Sequence, residues 1–170
     1  MRNFFVFALL GFVLLSFYMV NDVNADSKQN PVVLDSEFQI EEFVSGLFVP
    51  VNMEFIGDDL LVLEKNTGTV RHIKNNALLG TPVLDVEVSN YGEQGLLGIT
   101  SIENDVYLFF TEAYHDGGRA LENRVYKYSW NGNELVEPIL LKRIPGFERE
   151  YVGGELVSDL DGKVYAITGE

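Results

Sequence analysis

Residues 106–110 read VYLFF, five apolar side chains in a row between Asp105 and Thr111-Glu112. Five residues are too few for a helix that buries itself. As a strand, the run is apolar on both faces and has to be covered on both sides. The next stretch behaves differently. In RVYKYSW (124–130), Val125, Lys127 and Ser129 share one face, with Arg124, Tyr126, Tyr128 and Trp130 on the other. Fully buried strands beside half-buried ones fit sheets stacked face to face.

The VYLFF run also recurs. LLVLE ends at Glu64, LFFTE at Glu112 and YAITGE at Glu170, at intervals of 48 and 58 residues. Each follows a turn built from Gly, Asp or Asn. A four-stranded propeller blade takes about 40–50 residues, so the reading is an all-β chain: the first two blades of a β-propeller and part of a third. The pattern alone leaves a β-sandwich open. Read as a propeller, the chain is expected to be a fragment, because rings close with at least about four blades and an open wedge exposes strand edges and sheet faces.

Little of the chain is periodic as helix. Strands are expected at 38–44, 51–56, 60–65, 69–74, 82–86, 96–101, 105–112, 123–129, 135–142, 154–158 and 163–168. Asn131-Gly132 and Asp161-Gly162 suit hairpin turns with positive φ at both central residues, and Gly57-Asp58 opens another turn.

Upstream, MRNFFVFALLGFVLLSFYMVNDVNA has an early Arg2, an apolar run from Phe4 to Val20 and a small residue at Ala25. These are the parts of a secretory signal peptide, 1–25. A lead-in at 26–37 and one domain at 38–170 follow. The mature chain is then extracytoplasmic, or membrane-anchored through residues 4–20 where the segment stays uncleaved. The 26 acidic against 12 basic residues give a net charge of −14, which argues against nucleic acid as a partner. The absence of cysteine excludes disulfides, thiolate catalysis and Cys-ligated zinc. Phosphate-binding glycine loops, HExxH and nucleophile elbows are also missing.

The order of motifs resembles the glucose/sorbosone dehydrogenase family, six-bladed propellers that oxidise sugars with pyrroloquinoline quinone. The resemblance runs through GLFVPVNMEFIGDDLLVLEKNTGTVRHI (46–73), YGEQGLLGI (91–99), VYLFFTE (106–112), NRVYKYSWNGNELV (123–136) and VGGELVSDLDGKVYAITGE (152–170). It implies a quinone and calcium, whose main ligands would lie outside this chain, and as partners an aldose and an electron acceptor. No metal ligand is assigned here. The chain departs from the family at Asp159-Leu160, where Gly-Pro is usual, at Gly169-Glu170, where Gly-Asp is common, and above all at Tyr151.

The resemblance puts Tyr151 at the family's His-x-Gly-Gly histidine, the base that takes the proton of the sugar's anomeric hydroxyl. Imidazole titrates near about 6.5 and phenol near about 10, so supplying a basic phenol at neutral pH costs roughly 5 kcal/mol more. Glu150 is the better base by pKa, although strand alternation would aim it away from Tyr151. Glu93 falls at the family's site mouth, where it either contacts sugar or quinone or caps a turn. Gly153 and Gly154 are read as allowing close backbone packing. His115, in YHDGGR, mimics the motif but belongs to a hairpin loop. His72 is expected on a strand surface. Glu64, Glu112 and Glu170 are either rim residues near the central channel or ordinary strand-end charges. Two functions follow: a quinoprotein aldose dehydrogenase, or a propeller that binds sugar or protein without turnover, with Tyr151 stacking on a ring.

Overall fold

The computed structural model describes residues 31–145, 149–150 and 152–169. The expected signal segment, Tyr151 and Glu170 lie outside the described residues. Among the described residues, those up to Ile40 and those from Glu41 onward fall into separate units. All the strands belong to the second, and no helix occurs among the described residues.

Three antiparallel sheets follow one another along the chain. The first is a meander of β1 (Pro50–Ile56), β2 (Asp59–Glu64), β3 (Thr69–Lys74) and β4 (Ala77–Leu78), with β5 (Leu84–Asp85) also paired to β3. The second orders β6 (Leu96–Ile102), β7 (Asp105–Ala113), β8 (Ala120–Trp130) and β9 (Leu135–Ile144) in sequence. The third pairs β10 (Gly153–Ser158) with β11 (Val164–Thr168).

The first strands lie side by side, with β6 contacting both β1 and β10. Polar side chains join them. Asn52 Nδ2 reaches Leu97 O at 3.3 Å and Glu155 Oε2 at 3.1 Å. Glu54 Oε1 accepts from the Ser101 amide and hydroxyl, and Ser158 Oγ donates to Ser101 O. Successive antiparallel meanders whose first strands lie side by side are the arrangement of propeller blades.

The alternation read from VYLFF sorts its side chains between two cores. Val106, Leu108 and Phe110 join Leu61, Leu63, Val70, Tyr128 and Trp130 between the first and second sheets. Phe109 turns the other way, onto Val125, Val152 and Leu156, between the second and third. Leu96 and Ile99 both enter the first core although they are three apart, because a bulge shifts the register between Leu96 and Gly98. The same irregularity recurs at the start of β1, between Pro50 and Asn52, and of β10, between Gly153 and Leu156. A bulge bends its strand and raises the local twist.

Several expectations are corrected. Residues 38–44 form no strand. Val44 and Leu47 instead pack singly on Leu60, Val62 and Ile73, so apolarity there serves as cover rather than ladder. The expected strand at 82–86 shrinks to Leu84–Asp85, and Ala77–Leu78 adds an unexpected two-residue strand on the same edge of β3. His72 is not a surface residue. It is 2% exposed and meets the Trp130 ring edge-on at 5.2 Å, because it shares a β3 face with Val70 and that face is covered by the second sheet. At the two hairpins, only Gly132 (φ 95°) and Gly162 (φ 79°) have positive φ. Asn131 Oδ1 instead accepts the Asn133 and Glu134 amides, and Asp159 Oδ1 those of Asp161 and Lys163. The side chains close these turns without left-handed backbone at Asn131 or Asp161.

Candidate functional site

Strand direction puts the short turns at 57–58, 75–76, 103–104 and 131–134 at one end of the sheets. The 65–68 turn, the longer connections at 86–95 and 114–119, and residues 149, 150 and 152 ahead of β10 gather at the other, and there Glu64 and Glu112 also lie. The candidate site is at this second end.

Glu64, 4% exposed, accepts the Phe48 amide at 2.7 Å and the Thr69 hydroxyl at 2.7 Å, and pairs with Arg71 at 3.3 Å. It ties the chain entering β1 to β3. Glu112 pairs with Arg124. Glu64 and Glu112 therefore stitch their own sheets together.

Lys65 comes next. Its carbonyl accepts the Leu96 amide at 3.0 Å, joining the first sheet to the start of β6. Its ammonium reaches Gly92 O at 2.8 Å and Asn66 Oδ1 at 3.3 Å. Burial pushes its pKa below the usual lysine range, partly opposed by the charge of Glu93.

Glu93 connects the second and third sheets. Its amide donates to Arg149 O at 2.8 Å, and its Oε2 accepts the Val152 amide at 3.2 Å. The neighbouring Gln94 is 1% exposed and accepts the Ser89 hydroxyl at 2.6 Å. Arg149 lies 5.0 Å above the Tyr91 ring.

The glycines let the sheets approach. A Cβ at Gly98 would collide with Gly154 O, and one at Gly154 (φ 102°) would sit 2.8 Å from Leu97 Cβ. Gly154 thus abuts β6, whereas a Cβ at Gly153 (φ 70°) would meet Ile167 O and the Thr168–Gly169 backbone, so a larger residue fits at neither position.

The structure brings Glu93 onto the segment that carries Glu150 and flanks Tyr151. Glu150 is exposed and sits in a bend ahead of β10, so strand alternation does not set its direction. His115 lies in the exposed β7–β8 loop. His72 belongs to the other end, bonded to Asp59 at 2.9 Å. Sequence reasoning missed Lys65, Tyr91, Arg119 and Arg149. Lys65 had a signal, since it directly follows the first repeated glutamate. Tyr91 opens the YGEQGLLGI motif and Arg149 lies two residues from Tyr151, but the Tyr91–Arg149 contact and the place of Arg119 had no signal, because they come from loops of different sheets.

The described residues do not by themselves make a quinone or calcium site. Among them no three His, Asp or Glu side chains are grouped to hold a metal. Lys65, which feels the charge of Glu93, is already bonded to Gly92 O and Asn66, so it has little left to offer the carboxylates of a quinone.

The successive antiparallel meanders make this chain part of a β-propeller, a framework that hosts many functions. The glucose/sorbosone dehydrogenase family matches residues 47–170, nearly all of the sheet-forming unit, and the chain belongs to that family. Among solved structures, a Thermus thermophilus protein described as a putative oxidoreductase (glucose dehydrogenase) is 31% identical, with a TM-score of 0.67 over 76% of this chain and 40% of that one. The quinone-bound aldose sugar dehydrogenase of Streptomyces coelicolor is 28% identical, with a TM-score of 0.64 over 77% of this chain and 41% of that one. The soluble aldose sugar dehydrogenase of Escherichia coli, 22% identical over 73% and 38% with a TM-score of 0.60, shares the fold. No curated protein matches. The chain spans about two-fifths of the length of these structures.

Proposed function

We propose that this chain supplies the first two blades and the start of the third of an exported, pyrroloquinoline quinone-dependent aldose dehydrogenase. In the complete ring, a sugar hydroxyl would lose its proton to a base while a hydride passes from the same carbon to the quinone, and the two electrons then leave to an external acceptor. The observation that carries this reading is the contact of Glu93 with the Val152 amide. With the Glu93 amide on Arg149 O, it holds residues 149 and 152 against the rim of the second sheet, and the position between them is the one that the resemblance gives to the family's base.

Exposed apolar faces at both ends of the wedge also support it: Val51, Met53 and Phe55 on β1, with Val157, Tyr165 and Ile167 on β10 and β11. Such faces suit cover by further blades. Among the residues of this chain, Glu93 would orient the loop and Lys65 would hold the mouth positive against an anionic cofactor. Calcium would be bound by residues outside this chain.

The second reading, a propeller that binds sugar without turnover, is favoured by Tyr151 itself, a phenol in place of an imidazole. The test is dye reduction by aldoses, using the protein encoded by the whole reading frame loaded with quinone and calcium. Turnover that rises in Tyr151→His supports a dehydrogenase slowed by its base. Aldose binding with no turnover in either form sinks the enzyme reading and leaves the binding module. Export is tested by N-terminal sequencing of the secreted product, which should begin at Asp26; an intact Met1 on a membrane-bound product would show an anchor.

A further inference from the structure

The long-connection end holds a second feature, independent of the quinone reading. A cavity of about 340 Å³ is lined by Tyr91, Gln94, Arg119, Ala120 and Arg149. Its charged lining is two arginines, in a chain of net charge −14. Arg71, Arg124 and Arg143 each pair with a glutamate. Among the described residues Arg119 and Arg149 form no ion pair.

Neither guanidinium is held by a carboxylate among the described residues. Arg149 is placed over the Tyr91 ring, a contact that steadies a guanidinium yet leaves its in-plane N–H donors free. Its carbonyl is fixed by the Glu93 amide. Arg119 leaves a loop held by three bonds to main-chain groups: Gly117 N to Val88 O, Gly118 N to His115 O, and Val88 N to Asp116 Oδ1. Two guanidinium groups with unused donors at one concave site are the arrangement that recognises a planar or tetrahedral oxyanion.

We propose that Arg119 and Arg149 form a binding site for a small oxyanion, the carboxylate or phosphate group of a soluble metabolite. The site lies beside the Glu93 mouth on the same end of the sheets. It adds an anionic recognition element that the oxidation of a neutral aldose does not require.

The test is titration of the purified chain with inorganic phosphate and, separately, with acetate at low ionic strength, followed by calorimetry. Saturable binding of at least one probe is expected. Arg119→Ala and Arg149→Ala should each weaken it about tenfold or more. Lys142→Ala, the same charge change on β9, should leave it within about twofold. Arg119→Lys and Arg149→Lys keep the charge but lose the two-pronged donor, so they should also bind more weakly, and they serve if an alanine variant fails to fold. Preference for phosphate or for acetate identifies the group. If neither probe binds the parent chain, if both arginine variants bind as the parent does, or if Lys142→Ala weakens binding equally, the proposal is overturned. None of these results depends on quinone, so they leave the dehydrogenase reading to its own test.

Discussion

The two ends of the sheets contrast in construction. At the short-turn end, four hairpins surround a cavity of about 860 Å³ lined by Asp58, Asp59 and Glu103 with Lys74 as its cation. At the long-connection end, Lys65, Arg119 and Arg149 stand near the rim. Each short turn satisfies its own backbone, as Asn131 does for Asn133 and Glu134. The long loops are satisfied across sheets: Lys65 with Leu96, Asn66 with Asn90, Glu93 with Arg149 and Val152. The long-connection end is therefore where sheet-to-sheet geometry and candidate chemistry are coupled, and damage there should propagate further.

The sharpest way to break this contrast is Gly98→Ala against Gly57→Ala. At Gly98 the new methyl meets Gly154 O, and no flexible side chain can yield. We expect a loss of about 3 kcal/mol or more, read by urea denaturation, and separation of β10 from β6. At Gly57 (φ 60°) nothing lies within 4 Å, so only the backbone conformation is penalised, by about 1 kcal/mol. Equal losses at the two sites would remove the distinction.

Glu64→Ala ranks next. It leaves the Phe48 amide and the Arg71 guanidinium without their carboxylate, and should cost about 3 kcal/mol in the same measurement. A smaller effect is expected from acid at the short-turn end. Burial raises the pKa of Asp59, but hydrogen bonds from His72 and Lys74 outweigh it and hold the group below the usual 3.8. The stabilisation is thus complete above that value and is lost as pH falls through the lowered folded pKa. Melting temperature followed from pH 7 downward should fall less steeply in Asp59→Asn than in the parent; identical slopes would assign acid sensitivity elsewhere. The smallest effect is at Glu93. Glu93→Ala should reduce global stability by only about 1 kcal/mol while speeding hydrogen exchange at the Val152 amide. An unchanged exchange rate there would mean that Glu93 does not hold the loop.

Much of the fold was legible because strands announce themselves locally. VYLFF required cover on both faces, and the structure divides its side chains between two cores. Ten of the eleven expected strands appear, one of them, 82–86, only as Leu84–Asp85, and the rest with shifts of a few residues at their ends, since Gly, Asp and Asn punctuate them. The stretch at 38–44 misled because apolar residues that cover a sheet look like residues within one. His72 misled because its neighbours Arg71 and Lys74 are charged, and period-2 alternation does not reveal whether a second sheet lies against a face. At the site, Glu93 and the Gly153-Gly154 pair were visible through their motifs. The stacking of Arg149 on Tyr91 was not, because those residues are 58 positions apart and meet only when the second and third sheets are assembled.

The sequence by itself determined the all-β character, the blade-length repeat, the closely packed glycine pair and the family, because each is written in residues near one another along the chain. Tertiary structure decided which strand faces are covered, where the unpaired arginines converge and what Glu93 touches. Those depend on contacts between separate sheets, and the alternation within a strand gives side-chain direction without specifying what will lie in that direction.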